Sequence, residues 1–243
     1  MRLHDAHVHL DFFNEAHNVA LDAGAMNLHL FANTVTPEGF VRMRELIGDM
    51  PNVSLGLGAH PWWAREIDLD LFDGLASQTS WIGEIGLDFS PKRKDHGLQQ
   101  EVFTHIAKLC ADSANKVLSI HSVRSAGTVL DILEQTGCAN SCRCIFHWFS
   151  GSTDDLWRAI RMGCWFSINE MQAGTRRAKE QLKLIPSDRM LLETDLPPSE
   201  RSCASAADIV SSLERTLTQL EAIRNESVLE QVTCNWDGFL ADP

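Results

Sequence analysis

Short apolar runs alternate with longer amphipathic stretches along the whole chain. Apolar runs bounded by turn residues read as buried strands, and apolar positions recurring at three- and four-residue spacing read as helices packed on one face. Strands are predicted over Leu3–Leu10, Leu28–Asn33, Val53–Gly58, Trp81–Leu87, Lys116–His121, Arg143–His147, Cys164–Ile168 and Met190–Asp195. Between them, helices are predicted over Asn14–Ala23, Pro37–Gly48, Asp68–Ser77, Gln99–Asn115, Ala126–Thr136, Asp154–Met162 and Ala178–Leu184. A C-terminal pair follows, Ala206–Ile223 and Ser227–Leu240. Pro37 after Thr36 suits a first helical residue behind a cap, and Gly48, Gly137 and Gly163 fall where helix stops belong.

Strands alternating with helices imply parallel βαβ units, and this many in 243 residues fit a (β/α)8 TIM barrel, typically ~250 residues long. No linker rich in Pro, Gly or Ser divides the sequence, so residues 1–243 are expected to form a single α/β domain. The structural alternative is an open doubly wound sheet. No GxGxxG turn follows the first strand, which weakens the dinucleotide-binding form of that alternative.

Composition narrows the class. With 44% hydrophobic and 22% charged residues the chain is globular rather than disordered or fibrous. No run approaches the ~18 consecutive apolar residues of a membrane span, and Met1-Arg2-Leu3-His4-Asp5 has no apolar leader, so a cytoplasmic location is expected. Seven Cys without paired CxxC spacing fit reduced thiols rather than a disulfide framework. The absence of Tyr excludes any mechanism built on a tyrosine nucleophile. A formal net charge of −12 argues against a protein that coats nucleic acid by broad phosphate neutralisation.

The chemistry sits at predicted strand ends. In Asp5-Ala6-His7-Val8-His9, alternation turns His7 and His9 to one side, where two imidazoles can grip one ion. Polar residues mark other strands too: His60, His121, His147 and Asp195 close theirs, and Glu84 lies within Trp81–Asp88. In a parallel barrel the strand C-termini open on one face, so these residues are expected to converge there. Six of these seven residues, four His and two carboxylates, would already exceed the three ligands a catalytic zinc takes. A carboxylate such as Glu84 can bridge two ions ~3.5–4 Å apart around a water. A two-metal hydrolase follows, with phosphoesters, amides and lactones all open as substrates.

His7-Val8-His9, Gly58-Ala59-His60-Pro61, Gly83-Glu84-Ile85-Gly86-Leu87-Asp88, Ile120-His121-Ser122, His147-Trp148-Phe149-Ser150-Gly151 and Glu193-Thr194-Asp195 occur in that order. Together they resemble the TatD family of metal-dependent deoxyribonucleases in the amidohydrolase superfamily. The resemblance runs to about Pro197, and Asn235-Trp236-Asp237-Gly238-Phe239-Leu240 looks like the family's closing helix. It implies a two-metal phosphodiesterase cutting DNA ends or single strands, in the manner of a 3′ exonuclease, with Mg²⁺, Mn²⁺ or Zn²⁺. By the resemblance, His7, His9 and Asp195 hold one ion and His121 and His147 the other, with Glu84 between them. Asp195 orients and deprotonates the attacking water, and His60 faces the substrate phosphate. Ligand type alone does not select the metal.

Two departures stand out. The loop after Asp195 is cut down to Leu196-Pro197-Pro198-Ser199-Glu200-Arg201, which should lower one wall of the groove. After His121, Ser122-Val123-Arg124 moves an arginine one position later than usual. Lys92-Arg93-Lys94, Arg124, Arg176-Arg177 and Arg201 follow catalytic-face strands on expected loops, where Lys92, Arg93 and Arg124 are candidates for phosphate contact. Trp62, Trp63 and Trp148 follow His60 and His147, and Trp148 is the candidate for stacking on a base. Two ions against Glu84 and Asp195 leave the site about +2, a positive mouth on an acidic body.

Other residues read as packing or solvation: His4, His17, His29, His96 and His105. Cys138, Cys142 and Cys144 would need a fourth ligand to hold zinc. Asp5, Asp88 and Glu193 are equally consistent with orienting a ligand and with a plain strand-end role. Two competing functions remain: a small-molecule amide, lactone or aminoacyl-ester hydrolase, and a non-enzymatic subunit of an assembly. A filled ligand set counts against the second. A protein partner is not readable from the sequence.

Overall fold

The computed structural model describes residues 2–241. Met1, Asp242 and Pro243 lie outside that description. Among the described residues are strands β1 (Leu3–Val8), β2 (Leu28–Asn33), β3 (Val53–Ala59), β4 (Trp81–Asp88), β5 (Val117–Val123), β6 (Arg143–His147), β7 (Trp165–Ile168) and β8 (Met190–Leu192). The helices are α1 (Ala16–Ala25), α2 (Pro37–Ile47), α3 (Leu69–Ala76), α4 (His96–Ser113), α5 (Ala126–Thr136), α6 (Cys138–Ser141), α7 (Thr153–Arg161), α8 (Arg176–Leu184), α9 (Ala206–Arg224) and α10 (Leu229–Ala241). The strands form one sheet in chain order, β1 to β8, with parallel pairing. This is the (β/α)8 TIM-barrel fold.

Local chemistry explains the elements. β2 is buried along its whole length, and a strand covered on both faces reads as a continuous apolar run rather than an alternating one. α7 starts on a capping box in which Ser152 and Asp155 satisfy each other's backbone N–H, and Ser205 and Asp208 repeat the device at α9. α5 ends where predicted, at Gly137, whose φ of +73° suits a residue without Cβ.

Several boundaries differ from expectation. β1 ends at Val8, and Leu10–Phe12 form a 3-10 turn, so His9 stands just past the strand. β8 stops at Leu192 rather than Asp195. Glu193 still donates its N–H to Ile168, but Asp195 takes a left-handed φ of +58° and donates to His7, outside any regular ladder. The apolar run itself ends at Leu192, and the polar residues beyond it are held by fixed partners. Arg176 and Arg177 belong to the first turn of α8 and not to a loop, because the Thr175 hydroxyl accepts the Ala178 N–H and starts the helix early.

By its internal contacts the chain divides into two compact units, one holding the segment up to Asn33, Val41–Leu55 and Phe166 onward, the other Thr34–Phe40 and Gly56–Trp165. In the first, α10 packs the fully buried Trp236 on His4 with ring centroids 5.0 Å apart and planes within 5°. Phe239 lies 6.0 Å from the same indole. The second is centred on Phe72, Ile82, Phe103, Ile106, Leu118, Leu130 and Phe146, all buried. Each buried side chain of this size contributes about 1.5–3 kcal/mol.

Candidate metal centre

The first unit brings together His7, His9 and Asp195. His7 closes on His9 with Nε2 atoms 3.3 Å apart, and Asp195 Oδ1 is 3.4 Å from His9 Nε2 and 3.7 Å from His7 Nε2. His9 Nδ1 donates to the Asn33 carbonyl across 3.2 Å, since a carbonyl can only accept. That bond keeps the proton on Nδ1 and leaves the Nε2 lone pair directed at the other two groups. Two imidazole nitrogens and a carboxylate oxygen at this spacing suit a divalent cation, and all three candidate ligand atoms lie within 4.8 Å of one another.

Asp5 supports this corner from behind. Its carboxylate accepts the backbone N–H groups of His7 (3.1 Å) and Thr194 (3.0 Å) and a short bond from the Thr194 hydroxyl. Burial pushes the Asp5 carboxyl up to about 8 against these hydrogen bonds, which pull it down. Glu193, fully buried, accepts from Ser167 and, at 2.8 Å, from Asn169 Nδ2.

The second unit gathers His60, Glu84, His121 and His147. Glu84 Oε1 is 2.7 Å from His121 Nδ1, 2.9 Å from His147 Nε2 and 3.5 Å from His60 Nε2. His121 Nδ1 and His147 Nε2 are themselves 3.4 Å apart. β4 and β5 bring this about through their register, which sets Gly86 beside His121. A Cβ on Gly86, whose φ is +134°, would stand 2.1 Å from the His121 carbonyl oxygen. His60 differs from the other imidazoles. Its Nδ1 accepts the Trp62 backbone N–H at 3.1 Å, so its proton sits on Nε2, a donor rather than a metal ligand in that tautomer. Burial disfavours a charged His121, but Glu84 and Asp88 outweigh it and raise that ring above the usual histidine value.

The exposed candidates are less gathered. Lys92 and Arg124 stand exposed on the segments after β4 and β5 and take no part in the cluster's hydrogen bonds. Trp148 follows His147 with φ +42° and is 38% exposed. Arg93 lies over the Trp62 indole, Cζ 4.1 Å from the ring centroid. His17, His29, His96 and His105 have packing or surface partners, among them Ser54 for His29 and Asp73 for His105. The ligand groups among the described residues include no cysteine, and Cys142 Sγ donates instead to the Cys110 carbonyl at 3.3 Å.

A profile for TatD related DNase matches residues 4–240. The chain belongs to the TatD family. Its TatD relatives include the Escherichia coli K12 metal-dependent hydrolase YcfH, 26% identical over 97% of this chain and 94% of that protein. The 3′-5′ ssDNA/RNA exonuclease TatD of Pantoea vagans is 30% identical over 58% of this chain and 56% of its own length. Among solved structures, the TatD homologue YjjV of Escherichia coli superposes with a TM-score of 0.82 at 20% identity, covering 97% of this chain and 95% of that one. As a TatD-family protein the chain is a hydrolase.

Two contributors escaped the sequence reading. The Asn33 carbonyl that sets the His9 tautomer is a backbone group and leaves no mark in the sequence. Gln99 Oε1 accepts the Asp88 N–H at 2.8 Å from α4. Its signal was present: Gln99 is a polar residue three, four and seven positions before Val102, Phe103 and Ile106 on one apolar face. No described helix is long and apolar enough to cross a membrane.

Proposed function

We propose that the protein is a metal-dependent phosphodiesterase that shortens DNA from its ends or in single strands. In this reading His7, His9 and Asp195 hold one divalent ion, and His121, His147 and Glu84 hold another. The observation that carries it is the pair of donor groups, His7 with His9 and Asp195, and Glu84 with His121 at 2.7 Å and His147 at 2.9 Å. When bound, such ions supply Lewis acidity to the phosphate and lower the pKa of water toward neutrality.

The chain's own residues do the rest. Asp195, whose side chain is 23% exposed, is reachable by water and takes the proton from the attacking water. His60 offers Nε2–H to a phosphate oxygen. Lys92, Arg93 and Arg124 attract the phosphate, and Trp148 offers a ring to an unpaired base. The net charge of −12 then favours brief capture of one phosphodiester over long clamping on duplex.

The deciding experiment is an assay on end-labelled single- and double-stranded DNA with Mg²⁺ or Mn²⁺, with a chelator control and a panel of esters and lactones alongside. Metal-dependent shortening of single strands is expected. DNA left intact while an ester or lactone is turned over would replace this reading with a small-molecule hydrolase.

A further inference from the structure

Within the second unit, a chain of contacts runs from an exposed indole to the buried His121 ring. Trp62, 48% exposed, donates its Nε1–H to Asp88 Oδ2 at 2.6 Å. Asp88 is buried, its other oxygen accepts the Ser90 N–H at 2.8 Å, and its own N–H is held by Gln99. Asp88 Oδ2 is also 3.5 Å from His121 Nε2. That nitrogen is buried and makes no hydrogen bond among the described residues, so Asp88 is the acceptor aimed at it.

Without an ion, Glu84 at 2.7 Å accepts from His121 Nδ1; where an ion displaces that proton, a proton kept on Nε2 facing Asp88 leaves Nδ1 as the lone-pair nitrogen. We infer that Asp88 is a positioning residue for His121, fixing the tautomer and turn of its ring, and that the Trp62 N–H holds Asp88 in that role. The inference rests on the proposed use of His121 as a ligand. Trp62 is suited to the task because it is itself clamped. Arg93 covers one face of the indole, and the His60 ring meets it edge-on with centroids 5.1 Å apart. A half-exposed side chain without such contacts would spread over several rotamers and lose the aim of its N–H. The sequence leaves Asp88 open between orienting a ligand and a plain strand-end role, and it gives no sign of the Trp62 contact, since a tryptophan after a strand end reads as a rim packer or a base shelf.

The test is metal uptake, measured without substrate. Protein stripped by chelation is titrated with Zn²⁺ in a calorimeter and with Co²⁺ by visible absorption, for wild type, Asp88→Asn, Trp62→Phe and the double variant. Asp88→Asn keeps size and shape and is expected to weaken uptake about ten-fold or more, with a changed Co²⁺ spectrum. Trp62→Phe keeps a ring under Arg93 but has no N–H, and should shift affinity in the same direction by a smaller factor. In the Asp88→Asn background it should add nothing, because the acceptor role is already lost. Trp157→Phe, at an exposed position of α7, serves as the control and should match wild type. Single variants that bind as wild type does would overturn the inference and leave the proposed function standing. A Trp62→Phe effect that persists undiminished beside Asp88→Asn would also overturn the link. A wild-type chain that takes up neither metal would overturn both. Trp62 is at the surface, so its variant remains informative even if Asp88→Asn folds poorly.

Discussion

The Asp195 amide donates to the His7 carbonyl across 2.9 Å, tying the segment beyond the last strand to the first strand. The backbone contact sets where the carboxylate stands, while the carboxylate itself meets both His7 and His9. Position and chemistry are therefore separable at this residue.

Asp195→Asn should exploit that separation. The amide keeps the side chain's shape and leaves the backbone bond intact, so the thermal midpoint of the metal-free protein should stay within a few degrees of wild type. Turnover of end-labelled single-stranded DNA should fall by about a hundred-fold or more, the usual cost of losing a general base. Near-wild-type cleavage by this variant would remove Asp195 from the mechanism.

Gly86→Ala should fail in a different way. The new methyl would sit 2.1 Å from the His121 carbonyl oxygen at a φ of +134°, so both sterics and backbone strain oppose it. A loss of roughly 3 kcal/mol or more is expected from chemical denaturation, with metal uptake impaired in whatever folds. A variant of unchanged stability would show that β4 and β5 can shift apart at this point.

His4 offers a test by pH. Its ring is buried against Trp236 and accepts the Leu192 N–H at 3.1 Å, and burial first, with His29 and Arg2 adding, lowers its pKa from 6.5 to about 3. The unfolded chain therefore binds this proton before the folded one as pH falls. The stabilising contribution is complete above pH 6.5 and shrinks as pH drops toward 3. His4→Phe keeps a ring on Trp236 but strands a buried N–H, costing about 1–3 kcal/mol at pH 8. Because phenylalanine takes up no proton, the gap between the proteins should narrow by up to about 1.4 kcal/mol per pH unit below 6.5. Urea melts of both proteins from pH 8 to 4 would check it. A gap independent of pH would contradict the buried neutral ring.

Metal removal should lower stability as well as activity. Ions that bind only the folded chain stabilise it by about 2.7 kcal/mol at a hundred times their dissociation constant. Adding a chelator should therefore lower the thermal midpoint, and excess Mn²⁺ should restore it. Equal midpoints with and without metal would argue that neither donor group binds an ion in the folded state.

Much of this molecule was legible in its sequence because two signals coincided. Apolar runs such as Leu28–Asn33 gave the strands, and polar residues such as Glu84 and His121 broke the pattern where the donor groups lie. β8 ends with its apolar run at Leu192, and the predicted extension to Asp195 fails because the backbone there bonds to His7 outside the strand. The opening of α8 was not legible, because one hydroxyl on Thr175 decides whether Arg176 and Arg177 are loop or helix. The link from Trp62 to Asp88 spans 26 positions and leaves no periodic trace.

The two compact units differ in how they are threaded. The one containing Glu84 draws almost entirely on the stretch Gly56–Trp165, whereas the one containing Asp195 is assembled from three separate stretches. Thr194 meets Asp5 across 189 positions of sequence. A ribosome must therefore have delivered the chain through Asp195 before His7 and His9 can meet their carboxylate. By then the stretch that carries His60, Glu84, His121 and His147 is already complete. Long-range closure of this kind is slow relative to local packing. In the order of assembly, the group built around His7 and His9 is finished after the one built around Glu84.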